Sequence, residues 1–212
     1  MQKPTKARWD KDRNLTKLFF DENLPPEYYY VRGSIEWPIG LMPGYALLSA
    51  QNIRTKELWI YEEFPFWSVS TTGTNLPLWA WLKDVWKKYL CRYFYYTNTK
   101  DHPRYYLQIL REPLIRTHPV FVEAELASKN QASIDNLLLE YQRLKRIKID
   151  KEAGNPKIMG NLLDQLMAKK KGYIKEDIEI PGVTALWGLL AGYEKFPYKQ
   201  PMMEDEVPMA YV

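Results

Sequence analysis

The sequence predicts an α+β domain, an antiparallel or mixed sheet of about four to six strands with helices packed mainly on one side and an extended arm at each end. Three observations lead there. The first half is rich in short aromatic and β-branched runs separated by turn residues, which suit a pleated, half-buried surface. The second half carries apolar residues at helical spacing. Hydrophobic residues make up 46% of the 212, enough to build a core.

Residues 1–34 read as an N-terminal arm. Charge dominates up to Lys17, and Pro25–Pro26 excludes regular helix. Phe19, Phe20, Tyr28, Tyr29 and Tyr30 are too apolar for a free tail and are candidate interface residues. A single domain is expected over 35–195. In it, Tyr45–Ala50 and Glu57–Phe64 read as a hairpin around the polar turn 51–56, with Leu58, Ile60 and Glu62 assigned to one face of the second strand and Trp59 and Tyr61 to the other. A helix follows, with Asn75 as its cap and Pro77 in its first turn. Leu78, Leu82, Val85, Trp86 and Tyr89 form its apolar stripe; Trp79 and Trp81 lie off that stripe and imply cover on more than one side.

The aromatic stretch 91–113 reads as two strands around the turn 98–103, and Pro119–Glu125 as a third. Helices are expected from Ser133 to Ile147 and from Pro156 to Lys170, the break between them set by Gly154-Asn155-Pro156. The last helix starts at Pro181, where Gly182, Gly188 and Gly192 leave room for close packing. Residues 196–212 form the second arm, with Phe196, Tyr198 and Met202 as interface anchors.

Composition narrows function mainly by exclusion. Thirty basic and twenty-six acidic residues give a small excess of +4. Cys91 stands alone, so no internal disulfide forms and a reducing compartment fits: the cytoplasm, or a particle assembled inside a cell. The charged start is followed by no apolar leader segment, and no run approaches a membrane span, so neither secretion nor a membrane partner is expected. Cys91, His102 and His118 are too few for a zinc site. There is no GxSxG, no GxxxxGK[ST] and no GxGxxG after a strand, and no cofactor is expected.

Two kinds of chemistry remain. Tyr93, Phe94, Tyr95 and Tyr96, with Arg92, Lys100 and Arg104, make a basic and aromatic segment suited to stacking bases and holding phosphates. Glu123 and Glu125, two apart on one strand, share a face; Glu62 or Glu63 at the end of the hairpin, and Asp177 and Glu179 before the last helix, could join them. Such a carboxylate cluster is what two metal ions need to bridge a phosphate. In the order strand pair, helix, strand and helix the chain loosely resembles RNase H-like nucleases, such as the nuclease part of a phage packaging motor, which implies metal-dependent phosphodiester cleavage. The chain departs from that family in two places. The family opens with an aspartate on its first strand, whereas Gly44–Ala50 has none and Glu36 lies before it among prolines. Glu179-Ile180-Pro181-Gly182 stands where the family carries an Asp-Asp pair.

The expectation is therefore a non-enzymatic structural or interaction subunit of a larger assembly, a phage or viral particle being the suggested setting. Its partners would be protein subunits, identical or different, joined through the arms and the aromatic surface. A nucleic-acid-binding module and a divergent RNase H-like nuclease are the alternatives.

Overall fold

The structure, a computed structural model, describes residues 3–21, 23–38, 43–66, 77–97, 120–124, 136, 138–140, 142–149, 161–170 and 181–198. Strands β1 (Lys6–Asp10), β2 (Leu15–Phe19), β3 (Glu27–Glu36), β4 (Gly44–Asn52) and β5 (Leu58–Phe66) come first. Helix α1 (Pro77–Tyr89), β6 (Tyr93–Thr97), β7 (Val120–Ala124), β8 (Ile147–Ile149), α2 (Leu162–Lys170) and α3 (Pro181–Lys195) follow. The described strands make one sheet of eight, running β1-β2-β3-β4-β5-β8, with β6 on β3 and β7 on β6.

The α+β class and the mixed sheet are as the sequence predicts; the sheet is wider because the segment 1–34, read as an arm, supplies β1, β2 and most of β3. Their prolines bracket strands rather than forbid them. Pro25–Pro26 precedes β3 and Pro38 follows it, both where no ladder N–H is needed. The β1–β2 turn is closed by Asn14 at φ 52°, a conformation asparagine tolerates, and by Asp10 Oδ1 accepting the Arg13 N–H at 3.1 Å.

β3 is the hinge of the topology. One edge pairs antiparallel with β4 along its length. The other pairs antiparallel with β2 at residues 27–29 and parallel with β6 at Gly33–Ile35. β7 continues parallel to β6. A Cβ on Gly33 would lie 2.1 Å from the Phe94 ring, so glycine is what lets that ring lie against the strand.

Each face of the sheet has its own core. Against α1 lie Tyr29, Val31, Ile35, Leu48, Tyr61 and Phe94, among others; against α3 lie Tyr30, Tyr45, Leu47, Ile60 and Tyr95. β4, central and buried on both faces, is apolar from Tyr45 to Leu48 for that reason. Leu162 of α2 and Leu138 of a helical stretch before it pack on the α3 side, so helices collect mainly on one face. Trp79 is buried and Trp81 stacks on Phe64 at 5.7 Å, the wider cover that the off-stripe tryptophans imply.

Two boundaries move. Ile147, placed at the end of a helix by its spacing, belongs to β8: Lys145 at φ 54° stops the helix, and the Arg146 carbonyl accepts the Leu58 N–H. In β5 a bulge opposite Leu48 and Ser49 adds Tyr61 to the strand, so Ile60 faces α3 while Glu62 faces α1. Simple alternation had put Ile60 and Glu62 on one side. The second strand expected in 91–113, the cap Asn75, and both histidines lie outside the described residues.

Arg32 is a buried cation in the α3-side core, 4% exposed. Its guanidinium lies 3.6 Å from the centre of the Tyr30 ring and 4.5 Å from that of Tyr93, and donates to the Val31 carbonyl at 2.7 Å. Beside it the Tyr193 hydroxyl donates to the Tyr30 carbonyl at 2.8 Å and lies 3.0 Å from Ser49 Oγ, tying the end of α3 to β3 and β4.

Candidate active-site end of the sheet

Three parallel strands, β3, β6 and β7, end side by side. Ile35 pairs with Tyr96, Tyr96 with Glu123, and Thr97 with Ala124. Open α/β sheets bind ligands beyond the carboxyl ends of such strands. At that end β3 finishes on Glu36, buried at 3% exposure. Alternation along β3 puts Ser34 and Glu36 on the α3 face, opposite Val31, Ile35 and Trp37.

Other polar groups converge on the same end. Tyr45, paired with Glu36 across β3 and β4, donates its hydroxyl to Glu63 Oε2. The same oxygen accepts the Leu162 N–H at 2.7 Å, so a β5 carboxylate caps α2. Asn161 adds its own cap, accepting from Asp164 N at 2.9 Å. Gln165 of α2 then caps α3, its Oε1 accepting the Gly182 N–H at 2.8 Å. Two helix N-termini with their positive dipole ends therefore face the part of the sheet that carries Glu36 and Glu63, an arrangement favourable to anions. Burial, and next the Glu63 carboxylate, push the Tyr45 hydroxyl well above the ordinary tyrosine range, so it stays a donor.

The carboxylates expected to act together are not together. Glu62 faces α1, accepts from Tyr89 at 2.8 Å and pairs with Lys3 at 3.6 Å. Glu123 is on β7, four strand spacings away, on the order of 19 Å. Glu125 and Asp177 lie outside the described residues. Glu36 was missed because it reads as lying among prolines before the first expected strand; the strand signal was the run Tyr28-Tyr29-Tyr30-Val31 leading into it. A two-ion phosphate site needs several carboxylates around one point. Among the described residues no group of three His, Cys, Asp or Glu comes together, so these residues do not by themselves make such a site.

The nucleic-acid and interface candidates fall elsewhere. Arg92 is exposed, its guanidinium 4.4 Å from the Trp9 ring centre; Lys100 and Arg104 are outside the described residues. Tyr29 and Tyr30 are core residues, while Phe19, Phe20 and Tyr28 are half-buried against their own chain. Phe20 packs edge-on to Tyr29 at 6.0 Å. Phe196 stacks on Tyr95 at 6.0 Å, and the Tyr198 hydroxyl donates to the Arg13 carbonyl at 2.8 Å. Met202 is outside the described residues. Cys91 is buried, and burial raises its thiol to about 12, the setting of a packing residue. Among the described residues no helix is long and apolar enough to cross a membrane.

No family model matches the chain, and no curated protein matches its sequence. Its structure resembles the nuclease domain of the P22 large terminase, with a TM-score of 0.54 and 10% identity over 86% of this chain and 88% of that one. Weaker likenesses are to the nuclease domain of the bacteriophage SPP1 large terminase with bound Mn (TM-score 0.44, 13% identity, 78% and 85% covered) and to the human cytomegalovirus terminase nuclease domain, Mn soaked (0.48, 10%, 76% and 84%). The absence of motifs had pointed away from an enzyme. That expectation is corrected by this likeness, because the chain shares the fold of a nuclease domain, a mixed sheet with helices mainly on one side.

Proposed function

We propose that the chain is a nuclease domain of the terminase type, hydrolysing phosphodiester bonds in DNA, with Glu36 in its active site. The observation that carries the reading is the position of Glu36: a buried carboxylate at the end of β3, beside the carboxyl ends of β6 and β7. The likeness to the P22 domain over most of both chains supports it. In the reaction the oxygen of water bonds to phosphorus, one P–O ester bond breaks, and the leaving oxygen takes a proton. Glu36 contributes a fixed carboxyl group at the reacting end of the sheet, in the role of acceptor for the proton of the attacking water. An intracellular setting goes with this reading.

The test is nicking of supercoiled plasmid by the purified protein in magnesium or manganese, with a chelator as control. Metal-dependent cleavage that disappears in Glu36→Gln and persists in Glu62→Gln is the expected result. Cleavage unchanged in a folded Glu36→Gln protein overturns the assignment.

A further inference from the structure

The first hairpin, taken with the few residues that lead into it, carries as large a charge excess as the whole chain. Residues 3–20 carry six basic side chains, Lys3, Lys6, Arg8, Lys11, Arg13 and Lys17, and two acidic ones, Asp10 and Asp12, an excess of four. The full chain, with 30 basic and 26 acidic residues, has the same excess. The other residues balance.

The fold orders these cations instead of dispersing them. Lys6, Arg8, Lys11 and Arg13 are exposed. Arg8 and Lys17 sit directly opposite each other in the β1–β2 ladder and so share a face, as do Lys6 and Phe19. Arg8 lies over the Phe19 ring at 5.8 Å, and Arg13 and Lys17 flank Tyr28 at 4.5 and 5.4 Å. The tip is pinned by the Asp10–Arg13 turn and by Tyr198, which donates to the Arg13 carbonyl. Like charges opposite each other weaken a strand pair. Asp10, 2.9 Å from Lys17, offsets part of that repulsion and leaves the rest. The ring contacts and the Asp10 pair offset only part of the repulsion; a polyanion neutralises the rest, and rings that hold the cationic heads in place reduce the ordering cost of binding it.

We propose that the β1–β2 hairpin is a docking surface for the phosphate backbone of duplex DNA, distinct from the Glu36 end of the sheet. The choice of DNA as the polyanion rests on the nuclease reading. Thr16 pairs with Tyr29, and from Tyr29 to Glu36 is seven residues of strand, about 23 Å. At about 3.4 Å per base pair that is roughly seven base pairs, so one bound duplex reaches both places.

Binding of a short fluorescent duplex, measured by anisotropy in a chelator over a series of salt concentrations, tests this. Each phosphate neutralised contributes about 0.9 to the slope of log affinity against log salt. The variant K6Q/R8Q/K11Q/R13Q is expected to lose about 3 to 4 from that slope and at least tenfold in affinity at the lowest salt, with its thermal midpoint kept. R8Q/R13Q, the milder variant, is expected to lose about half as much slope. An unchanged slope in folded charge variants overturns the proposal, as does wild-type protein that shows no salt-sensitive DNA binding, the outcome expected if the hairpin serves an acidic protein partner. If no metal-dependent cleavage is found while the slope loss stands, the nuclease reading fails and the docking surface survives.

Discussion

Gly192→Ala puts two effects of opposite sign in competition, and the structure decides between them. In an open helix the change stabilises by about 1 kcal/mol, since alanine loses less backbone freedom. Here the added Cβ would stand 2.3 Å from Tyr95 Cδ2 and 2.4 Å from Cγ, where carbon contacts ordinarily settle at roughly 3.5 to 4.0 Å. More than an ångström must be found. The Tyr95 ring has little to give: it stacks on Phe196 with 4° between planes and packs edge-on to Tyr193 at 6.3 Å. Overpacking of this kind costs about 1–3 kcal/mol, and this overlap belongs at the upper end. The net expectation is a loss of about 1–2 kcal/mol, read as a lower urea midpoint at unchanged m-value. In a Tyr95→Ala background the clash is gone and the same change should be neutral or stabilising. A Gly192→Ala protein that is about 1 kcal/mol more stable than wild type would refute the reasoning.

Three further outcomes follow from other parts of the core. Glu63→Ala strips an acceptor from two buried donors, Tyr45 Oη and Leu162 N, and should cost about 2–5 kcal/mol, with Glu63→Gln retaining part of that; chemical denaturation measures both. Cys91, its thiol raised to about 12 by burial, should resist a thiol reagent at pH 8 in the native protein and react at once in denaturant; rapid labelling of native protein would contradict its burial. Burial raises the hydroxyls of Tyr29, Tyr45, Tyr95 and Tyr193 above their unfolded value near 10, so the stability they lend is complete below that pH and is lost as pH climbs beyond it. An ultraviolet titration should show these four ionising only with alkaline unfolding.

What could be read from the sequence was set by period. The β4–β5 hairpin, α1 and α3 stood out because their apolar residues recur at two or at three to four. β1 to β3 did not, because their signal is mixed with charge. Lys6, Arg8 and Lys17 alternate with Ala7, Trp9 and Leu18, a half-buried edge that resembles a charged tail until its partners are known. The candidate site was hidden for two physical reasons. A bulge at Tyr61 turned Glu62 to the other face, which no alternation rule foresees. Glu36 gains its meaning from β6, whose paired residues lie about sixty positions further along the chain, and from β7 beyond it.

The most direct test of the account is single-turnover cleavage of a DNA duplex by Glu36→Gln alongside wild type, with DNA binding measured on the same samples. Removing the central carboxylate while leaving the charged hairpin intact should lower the cleavage rate by at least about a thousandfold, the scale of a lost reacting group, with duplex affinity within about twofold of wild type. A folded Glu36→Gln protein that cleaves at the wild-type rate would contradict the account, and so would wild-type protein that binds the duplex but never cuts it in magnesium or manganese.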